Sequence, residues 1–147
     1  MEKYDKEILL CDLCSRLPYG TKVLCTEIST KKVYKLEGVC VYYRDVPIVH
    51  LRDQDQGLIN MPIMYIRPYL FPLSSITEEQ KNQLKEIWDA DMNKALDYAI
   101  SGKEGLSDLF QLSAAKKVIN WFIKKHFDFQ GLIPKELAID ATNLNIY

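Results

Sequence analysis

Apolar side chains recur near the start of the chain at helical spacing. Leu10, Leu13, Cys14 and Leu17 fall at i, i+3, i+4 and i+7, the stripe that an amphipathic helix turns toward a core. This predicts a helix from near Tyr4 to Arg16. LPYG ends it, because the residue before a proline disfavours the right-handed helical region and Gly20 suits a turn. The period then drops to two. TKVLCTEI (21–28) alternates like a half-buried strand, and the polar STKK after it reads as a hairpin loop. VYKLEGVCVYY (33–43) alternates up to Gly38 and is continuously apolar beyond it, so a bulge or sharp bend is expected at that glycine. VPIVHLRD (46–53) is a third strand, and DQDQGLINMP reads as a polar loop. MYIRPYLFPL is extended, and Pro68 and Pro72 confine it to a sheet edge or an irregular segment.

Beyond SSIT the pattern becomes helical again. Thr77 with Gln80 three residues on is a capping box, and Glu78 and Glu79 suit the positive end of a helix dipole. That helix is expected to reach about Ser101, with Leu84, Trp88, Met92, Ala95 and Ala99 as its stripe, and to be broken by Gly102 and Gly105. A last helix from near Ser113 has its stripe at Ala115, Val118, Ile119 and Phe122, continued by His126. Strands followed by helices, without βα alternation, predict an α+β fold. It comprises an N-terminal helix, a small bent antiparallel sheet or SH3-like partial barrel, and two C-terminal helices packed against it. Residues 1–147 read as one domain, with a helix-plus-sheet region at 1–73 and a helical region at 74–147.

Charge limits the partners. With 19 basic and 20 acidic residues the net charge is −1, too balanced for a global grip on DNA or an anionic membrane, though a local patch is compatible. MEKYDKEILLC is neither a signal peptide nor a membrane span, so a cytoplasmic protein is expected. The four cysteines, Cys11, Cys14, Cys25 and Cys40, are too few for a disulfide scaffold. CDLC is the lone CxxC and lies within a helical pattern, and His50 and His126 are far apart. Free thiols, no metal and no cofactor are therefore expected, with Cys14 a small core residue.

Three chemistries compete. A small hydrolase would use His126 as base, Asp128 as its orienting partner, and Cys14 or a serine of SSIT as nucleophile. No GxSxG elbow accompanies them, and His-x-Asp is a weak signal. The alternative is structural and leaves no catalytic residue assigned. His126 faces inward at the last helical turn as an imidazolium favoured by the dipole, Asp128 or a last-turn carbonyl is its partner, and Gly131 relieves the turn in HFDFQGLIP. On that reading, His126→Ala lowers stability by about one or two kcal/mol. Asp89, Asp91 and Asp97 belong to one helix, Asp89 and Asp91 do not share a face and so form no chelating pair by spacing, and Asp91 flanks the apolar stripe. The third chemistry is nucleic-acid contact. Arginines follow aromatic or aliphatic strand residues in VYYRD, VHLRD and MYIRP, which makes Tyr42, Tyr43, Arg44, Arg52, Tyr65 and Arg67 the candidate binding residues. Lys116, Lys117, Lys124 and Lys125 form a second basic face.

LCSRLPYGTKV, IRPYLFPLSSITEEQ and HFDFQGLIPKELAI resemble, in order and spacing, a widespread group of small uncharacterised proteins encoded by phages and mobile elements of gut bacteria. The resemblance spans most of the chain. It departs at Arg67, where lysine is expected, and at Phe71, where arginine is usual. It implies a biological setting but no mechanism. The expected function is that of a non-enzymatic accessory protein binding a host or element-encoded macromolecule. Protein is the first partner, nucleic acid the alternative, and a membrane is not expected.

Overall fold

Helix α1 spans Lys3–Arg16 and passes into a 3-10 turn, Leu17–Tyr19, after which Gly20 takes φ 66°, a left-handed value that glycine adopts without steric penalty. Its inward face follows the expected stripe at Leu13, which is buried, and at Leu10 and Leu17, which pack against the core, but departs from it at Cys14. Leu9, Asp12, Leu13 and Arg16 are buried, whereas Cys14 is exposed. A hydrophobicity pattern sends charges outward, but these two charges satisfy each other one turn apart. Arg16 Nε donates to Asp12 Oδ2 at 2.7 Å and Nη2 to Oδ1 at 2.9 Å, which lets both enter the interior. The computed structural model describes residues 2–27, 32–42, 46–53, 57–100 and 104–147, and among these the side chains other than those of 42, 92–100 and 104–111.

Six strands follow: β1 Lys22–Cys25, β2 Val33–Tyr42, β3 Val46–Asp53, β4 Gly57–Pro62, β5 Ile66–Leu70 and β6 Ile139–Asp140, in the order β4-β3-β2-β1-β5-β6. The first five pair antiparallel, and a 3-10 turn at Ile63–Tyr65 precedes β5. The sheet is mixed, because β6 joins β5 in parallel. The connection between those two strands includes both later helices, long enough for a parallel return. At the expected glycine the register shifts: Leu36 faces Leu51 and Gly38 faces His50, leaving Glu37 as the extra residue of a bulge.

Two strand expectations are corrected. GLINMP, read as loop, is β4, which pairs with β3 from Asp53↔Gly57 to Ile48↔Pro62. MYIRPYLFPL contributes β5, which is not an edge strand, since β1 and β6 flank it. Pro68 is tolerated because β6 pairs only with Tyr69 and Leu70 and does not reach the proline. Leu9 and Leu13 of α1 meet Val23, Leu36, Val49, Leu51 and Ile66 of the sheet and Leu132 of the returning chain in one core.

The chain divides into two units. One is Met1–Leu73 with His126–Tyr147, and the other is Ser74–Lys125, so the C-terminal residues belong with the sheet and not with the helical region that the sequence suggested. In the second unit, α2 (Glu78–Ile100) opens with the predicted capping box: Gln80 N donates to Thr77 Oγ1 at 3.3 Å and Thr77 N to Gln80 Oε1 at 2.9 Å. α3 runs over Glu104–Lys124, so Gly105 lies in its first turn and does not break it, and the helix begins well before Ser113. Ala114 and Ile123 are its buried side chains among those described, while Ile119 of the expected stripe is exposed. Asp91 is buried, and its Oδ1 accepts from Lys117 Nζ at 2.8 Å. No helix among the described residues is long and apolar enough to cross a membrane.

Candidate functional site

Alternation along β3 turns Pro47, Val49, Leu51 and Asp53 to the core and Val46, Ile48, His50 and Arg52 to the opposite, outer face. Register extends that face into rows, with neighbouring strands about 4.8 Å apart. One row is Lys22, Lys35, Arg52 and Leu58; the next is Gly38, His50 and Asn60; the third is Cys40, Ile48 and Pro62.

The first row sets three cations side by side across three strands. Like charges directly opposite one another repel, and Glu37, at the bulge, offsets part of this by holding Lys35 at 2.9 Å and Arg52 at 3.2 Å. Those two ion pairs keep the Glu37 carboxyl below its ordinary pKa. Lys35 and Arg52 nevertheless stay 48% and 56% exposed at the side chain. Lys32 stands nearby, paired to the buried Asp53 at 2.6 Å. Beside the row lie depressions of about 260 and 310 Å³ that share Lys22 and Val33. They adjoin an apolar pocket of about 440 Å³ lined by Leu24, Val33, Tyr69, Ile139, Leu144 and Ile146. The outcome is a basic surface with an apolar recess at one side.

Only part of the patch expected from sequence lies here. Arg52 is in the row. Tyr43 and Arg44 lie outside the described residues, and Tyr42 ends β2 with its side chain likewise outside them. Tyr65 packs from the 3-10 turn against the core. Arg67 Nη1 donates to the carbonyls of Met64 at 3.0 Å and Ile66 at 2.9 Å, which ties it to its own backbone. Lys22 and Lys35 were not singled out in the sequence, because their alignment depends on cross-strand register.

The Cys40 and His50 rows contain a second arrangement that the sequence did not suggest. Cys40 Sγ is 3.0 Å from His50 Nε2, and His50 Nδ1 is 2.5 Å from Asn60 Oδ1. Asn60 lies in the strand that was read as loop. Among the described residues no three His, Cys, Asp or Glu side chains gather as a metal site, and all four cysteines are free thiols.

His126 lies elsewhere, beyond the end of α3, with φ 60°. Its ring stacks on Tyr147 at 4.0 Å between centroids, and Nδ1 is 3.4 Å from Thr21 Oγ1. Burial, aided by the Arg16 charge, lowers its pKa to about 4. The imidazole is therefore neutral near pH 7, which corrects the expected imidazolium: desolvation outweighs whatever the helix end offers. Asp128 serves a different purpose. Its two oxygens accept from Leu132 N and Ile133 N, both at 2.8 Å, and Gly131 between takes φ 71°. Phe127 forms a parallel bridge with Phe71, and its carbonyl accepts from Arg16 Nη2 at 2.8 Å. The RLPYG, PYLFP and HFDFQG stretches thus converge on one buried polar junction. Tyr147, though 44% exposed as a residue, has its hydroxyl enclosed between the Lys22 N–H and the Tyr69 carbonyl, and burial pushes it up to about 12.

The His126 environment makes stability depend on pH. Its folded pKa of about 4 lies below the ordinary value of about 6.5, so between these two pH values the unfolded chain binds a proton that the folded chain does not. Stability should fall as pH drops through that window, by up to about 3 kcal/mol at its lower end. In urea titrations at pH 7 and pH 4.5, His126→Gln should lose less stability on acidification than the wild type. Equal losses would show that His126 does not titrate as its burial requires.

Comparison of the chain with family models, with curated proteins and with solved structures finds no match.

Proposed function

We propose that the protein is a cytoplasmic binding module of a phage or mobile element, and that it holds single-stranded nucleic acid on the outer face of its sheet. The observation that carries this reading is the row Lys22, Lys35 and Arg52, aligned across three strands in spite of mutual repulsion. Phosphates along an extended strand would meet these cations, and an unstacked base would enter the recess bordered by Tyr69, Leu24 and Ile146. A local basic row reconciles this grip with an overall charge of −1.

A protein partner is the second reading, favoured by a separate groove. Lys3, Lys6, Glu7, Leu10, Val41 and Pro47 line a depression of about 230 Å³, and Val41 is 60% exposed. An apolar segment matches the Leu10, Val41 and Pro47 part of that lining, with charges of both signs at its rim.

Fluorescence anisotropy with labelled oligothymidine separates the two. Three phosphate contacts predict a log-log salt slope of about −2, and replacing Lys35 or Arg52 by alanine should reduce it by about one contact's share. Absence of binding at low salt, or binding indifferent to the combined Lys22→Glu, Lys35→Glu and Arg52→Glu substitutions, would remove the nucleic-acid reading. Host proteins captured by the wild type but lost on Val41→Asp would then support the second.

A further inference from the structure

We propose that Cys40 is a nucleophilic thiol, activated by His50 and oriented through Asn60, that accepts an acyl group from an ester or thioester. The groups come from three adjacent strands, β2, β3 and β4, and face away from the core. Asn60 Oδ1, 2.5 Å from His50 Nδ1, can only accept, so it holds the imidazole proton on Nδ1. The Nε2 lone pair is then directed at Cys40 Sγ, 3.0 Å away. That is the tautomer a general base requires.

Gly38 supplies independent support. A Cβ at this position would lie 3.0 Å from His50 Cδ2, tighter than nearly all packed Cβ contacts, so the imidazole would have to shift by a few tenths of an ångström. Its φ is not positive, unlike those of Gly20, Gly57 and Gly131. The missing side chain therefore makes room for the imidazole. The bulge between Leu36 and Gly38 sets the register that brings Cys40 within reach of the same ring. Cys40 and His50 are both partly exposed, whereas Cys25 is buried.

The surroundings suit an acyl donor. Ile48 and Pro62 continue the Cys40 row and offer an apolar bed for the acyl chain. Arg52 lies two residues from His50 on the same face, positioned to attract a negatively charged leaving half. In the first step, His50 Nε2 takes the thiol proton while Sγ attacks the acyl carbon. The bond from that carbon to the leaving oxygen or sulfur breaks, and the alcohol or thiol departs with the proton. Water then attacks the Cys40 thioester and gives a proton to Nε2, which returns it to Sγ as the carboxylic acid leaves. Cys40 and His50 are the reacting groups; Asn60 is a positioning residue.

The test is acylation of the full chain by p-nitrophenyl acetate, read as nitrophenolate release and by mapping the acetyl group by mass spectrometry. Acetylation should concentrate on Cys40. Cys40→Ser should abolish the thioester, and His50→Gln should slow its formation on the order of a hundredfold, the usual contribution of a general base. Asn60→Leu should also slow it, and Asn60→Asp should restore most of the rate, since a carboxylate accepts the same Nδ1 proton. Circular dichroism identifies any variant that fails to fold. Independently of substitution, iodoacetamide should label Cys40 in the wild type faster than the exposed Cys11 and Cys14. Acetyl groups spread evenly over the exposed cysteines, equal rates in wild type and folded His50→Gln, or slower labelling of Cys40 than of Cys11 would each overturn the proposal.

Discussion

Arg16→Met is expected to destabilise the sheet unit by about 3–5 kcal/mol, the cost of stranding one charge of a buried pair. Both partners are fully buried, with side-chain exposure of 0%. Burial already pushes the Asp12 carboxyl above its ordinary pKa, and the Arg16 hydrogen bond and charge oppose that rise. Without the guanidinium, Asp12 must either protonate or remain charged in an apolar setting. The Phe127 carbonyl also loses the Nη2 donor at 2.8 Å. Removing both charges is a different matter. Asp12→Leu combined with Arg16→Met should recover much of the loss, because desolvation of the pair disappears with it, while the carbonyl remains short of a donor. Equilibrium urea unfolding followed by far-ultraviolet circular dichroism measures both. A single variant costing under about 1 kcal/mol would mean that the pair is not the buried anchor described.

Asp128→Ala should cost about 3 kcal/mol, because two backbone N–H groups lose a charged acceptor at once. Leu132, one of the two donors, is itself 0% exposed, so water cannot readily replace the carboxylate. Asp128→Asn keeps one acceptor oxygen and should lose roughly half as much. Hydrogen exchange gives a local readout: the Leu132 and Ile133 amides should exchange faster in Asp128→Ala than other amides of the same unit. Unchanged protection at those two amides would show that the loop is held without the aspartate.

Asp12 and Arg16 also mark where sequence reading stops. Helical spacing located α1 correctly and turned Leu10, Leu13 and Leu17 to the core, yet it placed Cys14 inward and missed Asp12 and Arg16, because a pattern of apolarity has no way to register a charge neutralised by its neighbour four residues on. The alternation of VPIVHLRD located β3, and Gly38 disclosed the bulge, since both signals are local. β4 escaped because Gly57, Asn60 and Pro62 are poor strand formers in isolation. Its pairing with β3 overrides that propensity. In hindsight, the alternation of Leu58 and Asn60 with Ile59 and Met61 is the signal within it. The outer-face groups were hidden for a related reason. His50 and Arg52 share a face by period-two spacing alone, but their meeting with Asn60, Cys40, Lys35 and Lys22 depends on register between strands, which no single segment encodes. His126 was read as charged, whereas its burial and the charge of Arg16, distant in sequence, lower its pKa, and neither is visible in the local pattern.

The bridge between Phe71 and Phe127 carries a consequence for the helical unit. Phe71 N donates to the His126 carbonyl and Asp128 N to the Phe71 carbonyl, both at 2.8 Å, so the chain departs from the sheet unit and re-enters it at adjacent points. The gap to be closed is that between neighbouring strands, whatever lies in the excursion. Because closure entropy grows only slowly with loop length, each doubling of the excursion adds only about 0.6 kcal/mol to the cost of closing it. The sheet unit closes on its own strands and on the bridge between Phe71 and Phe127, so its geometry is set within the unit whatever the length of the excursion.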